Sequence, residues 1–345
     1  MLLPKQTVYR SLGIDYKGIK AGEEPIPDID KHEILIKIKA VSLNYRDIAA
    51  ADGTYGFPIK KGHVPCSDGA GEVVKVGSQV HNIQVGDRVV AAFDPTHFYG
   101  VQRDWLHGHG APVDGMLQQY KAVAAVGVIR LPKDTHLSYA EAASLVCTGV
   151  TAWNCLYGGI PYVAGQSILL LGTGGVSITT LILAKAAGAK TIITSSSNEK
   201  LKYVKEKYGV DYTINYMEHP DWEKEVLQLT NGEGVDFVIE NGGAGTIAKS
   251  IASVKRGGQV PIVGFLAKSD EMPNVSIMVL SKSCSVRGIA VGSMQLFEDL
   301  VQFVHTKKLH LPVEKEFGFT NDGVIAAFDY LKSGAHIGKI VIRVD

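Results

Sequence analysis

The segment Ile168-Leu169-Leu170-Leu171-Gly172-Thr173-Gly174-Gly175-Val176-Ser177 constrains the fold more than any other stretch. An apolar run ends in a glycine cluster and gives way at once to a helical pattern over residues 178–187. Glycines there allow a tight turn and let backbone N–H groups approach a pyrophosphate at the helix N-terminus. Any strand-to-helix turn can use glycine, so the weight rests on the hundred residues after it. Short β-branched runs at 191–195, 212–214, 235–240, 259–264 and 283–289 alternate with helical patterns. Such alternation specifies βαβ units and a parallel sheet. The third glycine position of the fingerprint is Ser177, small enough for close helix–strand packing. Gly174, Gly175 and Val176 are the first candidate dinucleotide contacts.

An NAD site usually carries an acid at the end of the second strand, about 20 residues after the glycines, to bind the ribose 2′-hydroxyl. Here the strand runs into Ser195-Ser196-Ser197-Asn198-Glu199-Lys200. Hydroxyls and a cation suit a 2′-phosphate, so NADP(H) is the expected cofactor, with Ser196 and Lys200 as contacts. The alternative is that Ser197 only caps the helix beginning at Asn198. Asn241-Gly242-Gly243 and Gly264-Phe265-Leu266 end the fourth and fifth strands, where ligands of parallel sheets collect. Asn241, Gly242, Gly264, Phe265 and Leu266 are therefore nicotinamide-side candidates, or plain turn residues.

A chain of 345 residues exceeds one ordinary core, so two domains are expected. The first third is β-rich: residues 32–41 alternate apolar and charged side chains, and 69–76 and 88–92 read as short strands. Residues 94–114, polar and rich in aromatic, histidine and glycine residues, read as a long loop. Ser138 and Glu141 form a capping-box pattern. A helix near 322–333 and a strand at 338–344 close the chain. Lys+Arg and Asp+Glu number 35 each, which gives no general attraction to nucleic acid or anionic membranes. The four cysteines form no CxxC pair and read as reduced thiols in a cytoplasmic protein. Residues 1–20 lack a signal-peptide block, and the apolar stretch 167–189 is broken by glycines, so no membrane span is expected.

Val41-Ser42-Leu43-Asn44-Tyr45-Arg46-Asp47, Pro65-Cys66-Ser67-Asp68-Gly69-Ala70-Gly71-Glu72-Val73, Val85-Gly86-Asp87-Arg88-Val89, Gly149-Val150-Thr151-Ala152-Trp153, the Gly172 turn and His336-Ile337-Gly338-Lys339-Ile340-Val341-Ile342 occur in this order. Together they resemble the medium-chain dehydrogenase/reductase superfamily, and most closely its zinc-independent, quinone-oxidoreductase-like branch. The resemblance implies an α/β chain: a GroES-like β-rich catalytic domain over 1–133, completed by 305–345, and a doubly wound Rossmann domain over 134–304. It also implies cofactor contacts at Thr151 and Tyr216, and at Val291 and Gly292 beside the nicotinamide. In zinc-bearing relatives a cysteine matches Asn44, a His-Glu pair matches Ser67-Asp68 and a third ligand matches Cys147. Only Asp68 and Cys147 retain a donor, and the four-cysteine structural lobe is missing, so no metal is expected. His97, His107 and His109 read as solvated loop residues, and Cys147 as a small buried hydrophobe.

Carbonyl reduction needs an electrophile at the oxygen, the task zinc performs in the dehydrogenases. Conjugate reduction of an enone or quinone spreads the charge, and one hydrogen-bond donor with a proton source can suffice. The resemblance puts Asn44, Tyr45 and Tyr55 in the active-site segment. Tyr45 and Tyr55 are the expected proton donors, and Asn44 an amide for the nicotinamide ribose or substrate oxygen. Each tyrosine could instead be packing, and Arg46-Asp47 an internal ion pair. The expected activity is NADPH-dependent reduction of a small conjugated carbonyl or quinone. The rivals are a tyrosine-based ketone or alcohol oxidoreductase and a non-redox NADPH-binding relative. Trp105 and its loop are expected to set specificity, and the edge strand near 283–289 suggests a homodimer.

Overall fold

The structure, a computed structural model, describes residues 4–267, 269 and 273–344. Contacts divide the chain into two compact units, Met1–Val150 with Val291–Asp345, and Thr151–Ala290. This division by contacts falls at 150/151 and 290/291 because two helices that flank the expected boundaries at 133/134 and 304/305 pack on the first unit. Helix Tyr139–Ser144, opened by the reciprocal bonds of Ser138 and Glu141, packs its alanines on strands Glu33–Ser42 and Asp68–Val76. Helix Met294–Thr306 packs on the turn Leu145–Gly149 and on strand Val128–Arg130. Both helices thus complete the first unit.

In that unit, strands Val313–Gly318, Lys339–Arg343, Glu33–Ser42, Asp68–Val76, Arg88–Ala91 and Val128–Arg130 lie in this order, and Tyr120–Ala124 also pairs with Glu33–Ser42. Ile34, Ile36 and Ile38 are buried, as is Leu35, while Lys37 and Lys39 on the other face are half-exposed, so the strand alternates from Ile36 to Lys39 as a one-sided sheet requires. The closing strand runs antiparallel to Glu33–Ser42, with Val341 opposite Ser42 and Ile342 opposite Val41. That register brings Lys339 to Leu43 and Asn44. Residues 94–114 contain no helix or strand, as expected of a loop.

The second unit holds six parallel strands in the order Tyr212–Asn215, Lys190–Ser195, Ser167–Leu171, Val235–Ile239, Val254–Ile262, Ser285–Gly288. Counted along the chain this is 3-2-1-4-5-6, the doubly wound dinucleotide-binding order, in which ligands gather outside the carboxyl ends of the strands. Ser167–Leu171 sits in the middle and carries apolar residues without alternation because both of its faces are buried. Val254–Ile262 begins five residues before its β-branched part, with an irregular register around Val235 and Phe237.

Candidate active site

The phosphate side of the second unit is built by Gly172, Gly174, Ser177 and Asn241. Gly172 turns the chain at φ +74°, a conformation that favours glycine. Helix Gly175–Ala186 starts on Gly174 with no side-chain cap, so its first N–H groups point to whatever lies ahead of them. A Cβ on Gly174 would meet no protein atom within 4 Å, which leaves room for a phosphate. Behind the turn, Ser177 Oγ donates to Leu171 O at 2.7 Å and accepts Asn241 Nδ2 at 2.9 Å. Asn241 Nδ2 also donates to Leu171 O at 3.1 Å. Ser177 therefore braces the cradle rather than merely fitting it, and Asn241 spends its amide nitrogen on the same brace.

Buried Glu240 orders the next loop: its carboxylate accepts the N–H groups of Gly242 and Gly243 and the hydroxyls of Thr246 and Ser250. Leu266 N–H and Ala267 N–H donate to Asn241 O and Gly242 O, tying the fourth- and fifth-strand loops together. Gly264 is required there, since a Cβ would stand 2.4 Å from Asn241 O. Phe265 and Leu266 are exposed. At the second-strand tip Ser196 is exposed, and Ser197 Oγ accepts Lys200 N–H and caps helix Asn198–Tyr208. Tyr216 N–H donates to Ser195 O at 3.1 Å, which brings Tyr216 to the same tip. One acid that sequence reasoning misses stands close by: Glu218 accepts from Asn198 Nδ2 and Asn215 Nδ2. The uncapped helix, the open Gly174 and the hydroxyl-rich tip fit a nicotinamide dinucleotide. Thr151 is buried at the start of the unit, in helix Val150–Tyr157. Val291, at φ +52°, and Gly292 belong to the other unit.

In the first unit a second constellation forms around Asn44. Lys339, 2% exposed, donates from Nζ to Leu43 O at 2.6 Å, Asn44 Oδ1 at 2.5 Å and Thr148 Oγ1 at 3.0 Å. Thr148 Oγ1 in turn donates to Asn44 Oδ1 at 3.0 Å. Asp68 accepts Ser67 Oγ at 2.6 Å and Cys147 N–H at 3.1 Å. Asn44 Nδ2 is buried without a hydrogen-bond partner of good geometry, although it lies near enough to Asp68 to help hold that carboxylate ionised. Cys147 and Thr148 reach this cluster from a π-helical turn, Leu145–Gly149, a widened turn of the kind frequent at functional sites. No periodicity in the sequence signals such a turn. Thr148 and Lys339 were not among the expected site residues; the only hint is a lone lysine inside the apolar closing run.

Beside the cluster, Arg46 Nε donates to Tyr55 Oη at 2.9 Å, and its guanidinium lies 4.8 Å from the ring centres of both Tyr55 and Phe93. Arg46 Nη1 also reaches Asp47 at 3.3 Å, the expected ion pair, and His109 O at 3.0 Å. The Tyr55 oxygen accepts here, so its own proton remains to be given elsewhere. An aromatic run continues from Tyr55 to Phe57 at 5.1 Å and from Phe57 to Trp105 at 4.2 Å. Tyr45 is 49% exposed on the same helix as Arg46, Tyr45–Ala51.

Burial raises Tyr55 above the ordinary phenol value, with Arg46 opposing it. Burial, then Asp68, push the Cys147 thiol up to about 12, in keeping with an inert thiol. Burial raises the carboxyl of Asp68 against the nearby Lys339, and that of Asp47 to about 6 against Arg46. The loop histidines correct the sequence expectation. His97 and His109 are buried because the loop folds inward, His97 Nε2 against Gly100 O and His109 N–H onto Phe93 O, while His107 stays partly exposed beside Asp104. Burial, then Lys121, lower His109 to about 3.

Residues 30–133 match the alcohol dehydrogenase GroES-like domain, and residues 175–306 match the zinc-binding dehydrogenase domain. The chain is 40% identical to a zinc-type alcohol dehydrogenase-like protein of Schizosaccharomyces pombe, covering 96% of each. It belongs to the medium-chain dehydrogenase/reductase superfamily. A Sinorhizobium meliloti crystal structure designated an alcohol dehydrogenase superposes with a TM-score of 0.91 at 32% identity, covering 100% of both chains. An NAD-dependent alcohol dehydrogenase structure gives 0.87 at 26%, covering 99% of this chain and 100% of that one. The chain is thus an oxidoreductase of the alcohol dehydrogenase-like kind. Among the described residues no helix is long and apolar enough to cross a membrane.

The zinc that the family name implies has a poor donor set here. Among the described residues no three His, Cys, Asp or Glu side chains gather to hold a metal. Asn44 and Ser67 offer only an amide and a hydroxyl, and the Asp68 oxygens already accept from Ser67 and Cys147. The residues at Asn44, Ser67, Asp68 and Cys147 do not fit a zinc ion.

Proposed function

We propose that this oxidoreductase reduces a conjugated carbonyl or quinone with NADPH and without a catalytic metal. The observation that carries the reading is the Asn44 cluster: a buried amide donor fixed by Lys339 and Thr148 where a metal's donor set is lacking. When bound, a reduced nicotinamide would supply a hydride for the β-carbon of the enone. The C=C pair would then become the new double bond of an enolate as the carbonyl π pair moves onto oxygen, and protonation at the α-carbon would restore the carbonyl. Asn44 Nδ2 hydrogen-bonds that oxygen as its charge grows. Tyr55 gives the proton, and Arg46 stabilises the tyrosinate left behind. The aromatic run from Tyr55 to Trp105 receives a flat substrate. Ser196, Lys200 and Tyr216 take the 2′-phosphate, and Gly174, Gly175 and Val176 the pyrophosphate.

A second reading, reduction of a simple ketone or oxidation of an alcohol, draws on the three relatives above, all named as alcohol dehydrogenases or like them. The experiment is a titration of metal-free protein with NADPH and NADH, followed by oxidation of each against 1,4-benzoquinone, 2-cyclohexenone and cyclohexanone with and without chelator. Quinone or enone turnover with NADPH that survives chelation is the expected result. Turnover of cyclohexanone alone favours the second reading, binding without turnover favours a non-redox role, and loss on chelation removes the metal-free premise. We further assign the enzyme to the cytosol, on four free cysteines, and to a homodimer, on the edge strand Ser285–Gly288 and the exposed Ile277 and Leu280 of helix Val275–Lys282.

A further inference from the structure

We infer that Lys339 and Thr148 are positioning residues whose task is to lock the Asn44 amide in one orientation, so that Nδ2 is a ready donor before substrate arrives. The inference rests on the proposed reaction for its purpose but on geometry for its content. An amide can flip about its Cβ–Cγ bond, and a carbonyl oxygen and an amide nitrogen exchange places when it does. Here two donors, Lys339 Nζ at 2.5 Å and Thr148 Oγ1 at 3.0 Å, converge on one Asn44 atom. That atom must be the oxygen, because a nitrogen would set donor against donor. The remaining bonds leave the two residues no other arrangement. Lys339 spends its three protons on Leu43 O, Asn44 Oδ1 and Thr148 Oγ1, so the ammonium is itself fixed and is not a proton donor to substrate.

The backbone of Asn44 is held as firmly as its side chain. Its N–H donates to Asp47 Oδ2 at 2.8 Å, and its carbonyl accepts Asp47 N–H at 2.9 Å. With backbone and Oδ1 both tied, Nδ2 is buried and turned to the Asp68 side, where it helps hold that carboxylate ionised. An ammonium on Oδ1 also draws electron density from the amide and makes Nδ2–H the stronger donor.

The test combines two readouts. Steady-state rates of NADPH oxidation with 2-cyclohexenone and with 1,4-benzoquinone are taken for wild type, Lys339→Met, Thr148→Val, Asn44→Ala and the two doubles with Asn44→Ala. Misalignment of the donor is expected to lower kcat roughly ten-fold in either single variant while KM for NADPH holds. In the Asn44→Ala background the same changes are expected to cost nothing further, because the residue they act through is gone. Equal losses in both backgrounds overturn the inference. The second readout is the Asn44 side-chain amide pair in a spectrum of protein carrying 15N-labelled asparagine, identified by its loss in Asn44→Ala. In wild type the pair is expected at shifts displaced from those of a free asparagine amide, and in Lys339→Met and Thr148→Val it is expected to move towards the free values as the amide samples both orientations. Unchanged resonances in both variants overturn the inference whatever the kinetics show. If wild type reduces neither probe, the proposed function fails by itself and the amide spectrum still decides the lock. Thr148→Val carries both readouts should Lys339→Met not fold.

Discussion

Tyr55 and His109 sit within reach of the same arginine and respond to pH in different ways. Tyr55 Oη accepts from Arg46, so Tyr55→Phe removes a proton donor and leaves the ring contacts to Phe57 and Arg46 in place. Its kcat with 2-cyclohexenone is expected to fall about 100-fold with the Kd for NADPH unchanged, measured by stopped-flow and fluorescence titration. Because burial raises the Tyr55 pKa, the donor stays protonated through pH 9, and a rate carried by it should not fall on an alkaline limb below that pH. His109 is lowered from 6.5 to about 3 in the folded chain. A depressed folded-state pKa contributes stability that is present above 6.5 and is lost as pH falls towards 3. At pH 5 the loss is about 1.5 pH units, or about 2 kcal/mol. Urea unfolding at pH 7 and pH 5 should show that loss in wild type and a loss smaller by this amount in His109→Gln. At this scale the sequence is legible where a residue belongs to a short motif. Asn44 and Tyr55 can be singled out that way, and so can the Arg46–Asp47 pair. Lys339 cannot, since 296 positions separate it from the Leu43 carbonyl it binds, and no local pattern records such a distance. Nor can the burial of His97 and His109, which comes from how a loop packs rather than from what it contains.

Among the elements, the helix Gly175–Ala186 offers the cleanest separation of folding from binding. A methyl group on Gly174 meets no protein atom within 4 Å, and the residue has an ordinary negative φ of −75°. Gly174→Ala should therefore unfold at the wild-type Tm while the Kd for NADPH rises at least ten-fold, read by thermal melting and titration of the same preparation. Gly172→Ala should behave differently, losing on the order of 1 kcal/mol or more of stability, because an alanine at φ +74° is strained. At the next strand tip, Lys200→Ala should weaken NADPH several-fold and leave NADH unaltered if that lysine meets the 2′-phosphate. Strand–turn–helix units announce themselves because periodicity and glycine placement act over a dozen residues. The capping box at Ser138 and the helix after Asn198 are legible for the same reason. The π-turn at Leu145–Gly149 is silent in the sequence, because a turn with one extra residue keeps the composition of the helices on either side.

At the scale of the whole molecule, the order 3-2-1-4-5-6 leaves Ser285–Gly288 as an open edge, with Leu280 72% exposed on the preceding helix. A homodimer formed there should sediment as twice the chain mass, and Ile277→Asp with Leu280→Asp should sediment as a monomer. The two units were legible in kind but not in extent. Alanine-rich Tyr139–Ser144 reads equally well as the opening helix of either unit, and only its packing on Glu33–Ser42 assigns it. The division also has a consequence in time. The nucleotide unit is one uninterrupted stretch, Thr151–Ala290, whereas the catalytic unit lacks its strand Lys339–Arg343 until some fifty residues later. At about 5–20 residues per second, the ribosome spends several seconds in that interval. During it every residue of the nucleotide unit has been made, but Asn44 still waits for the ammonium that fixes it.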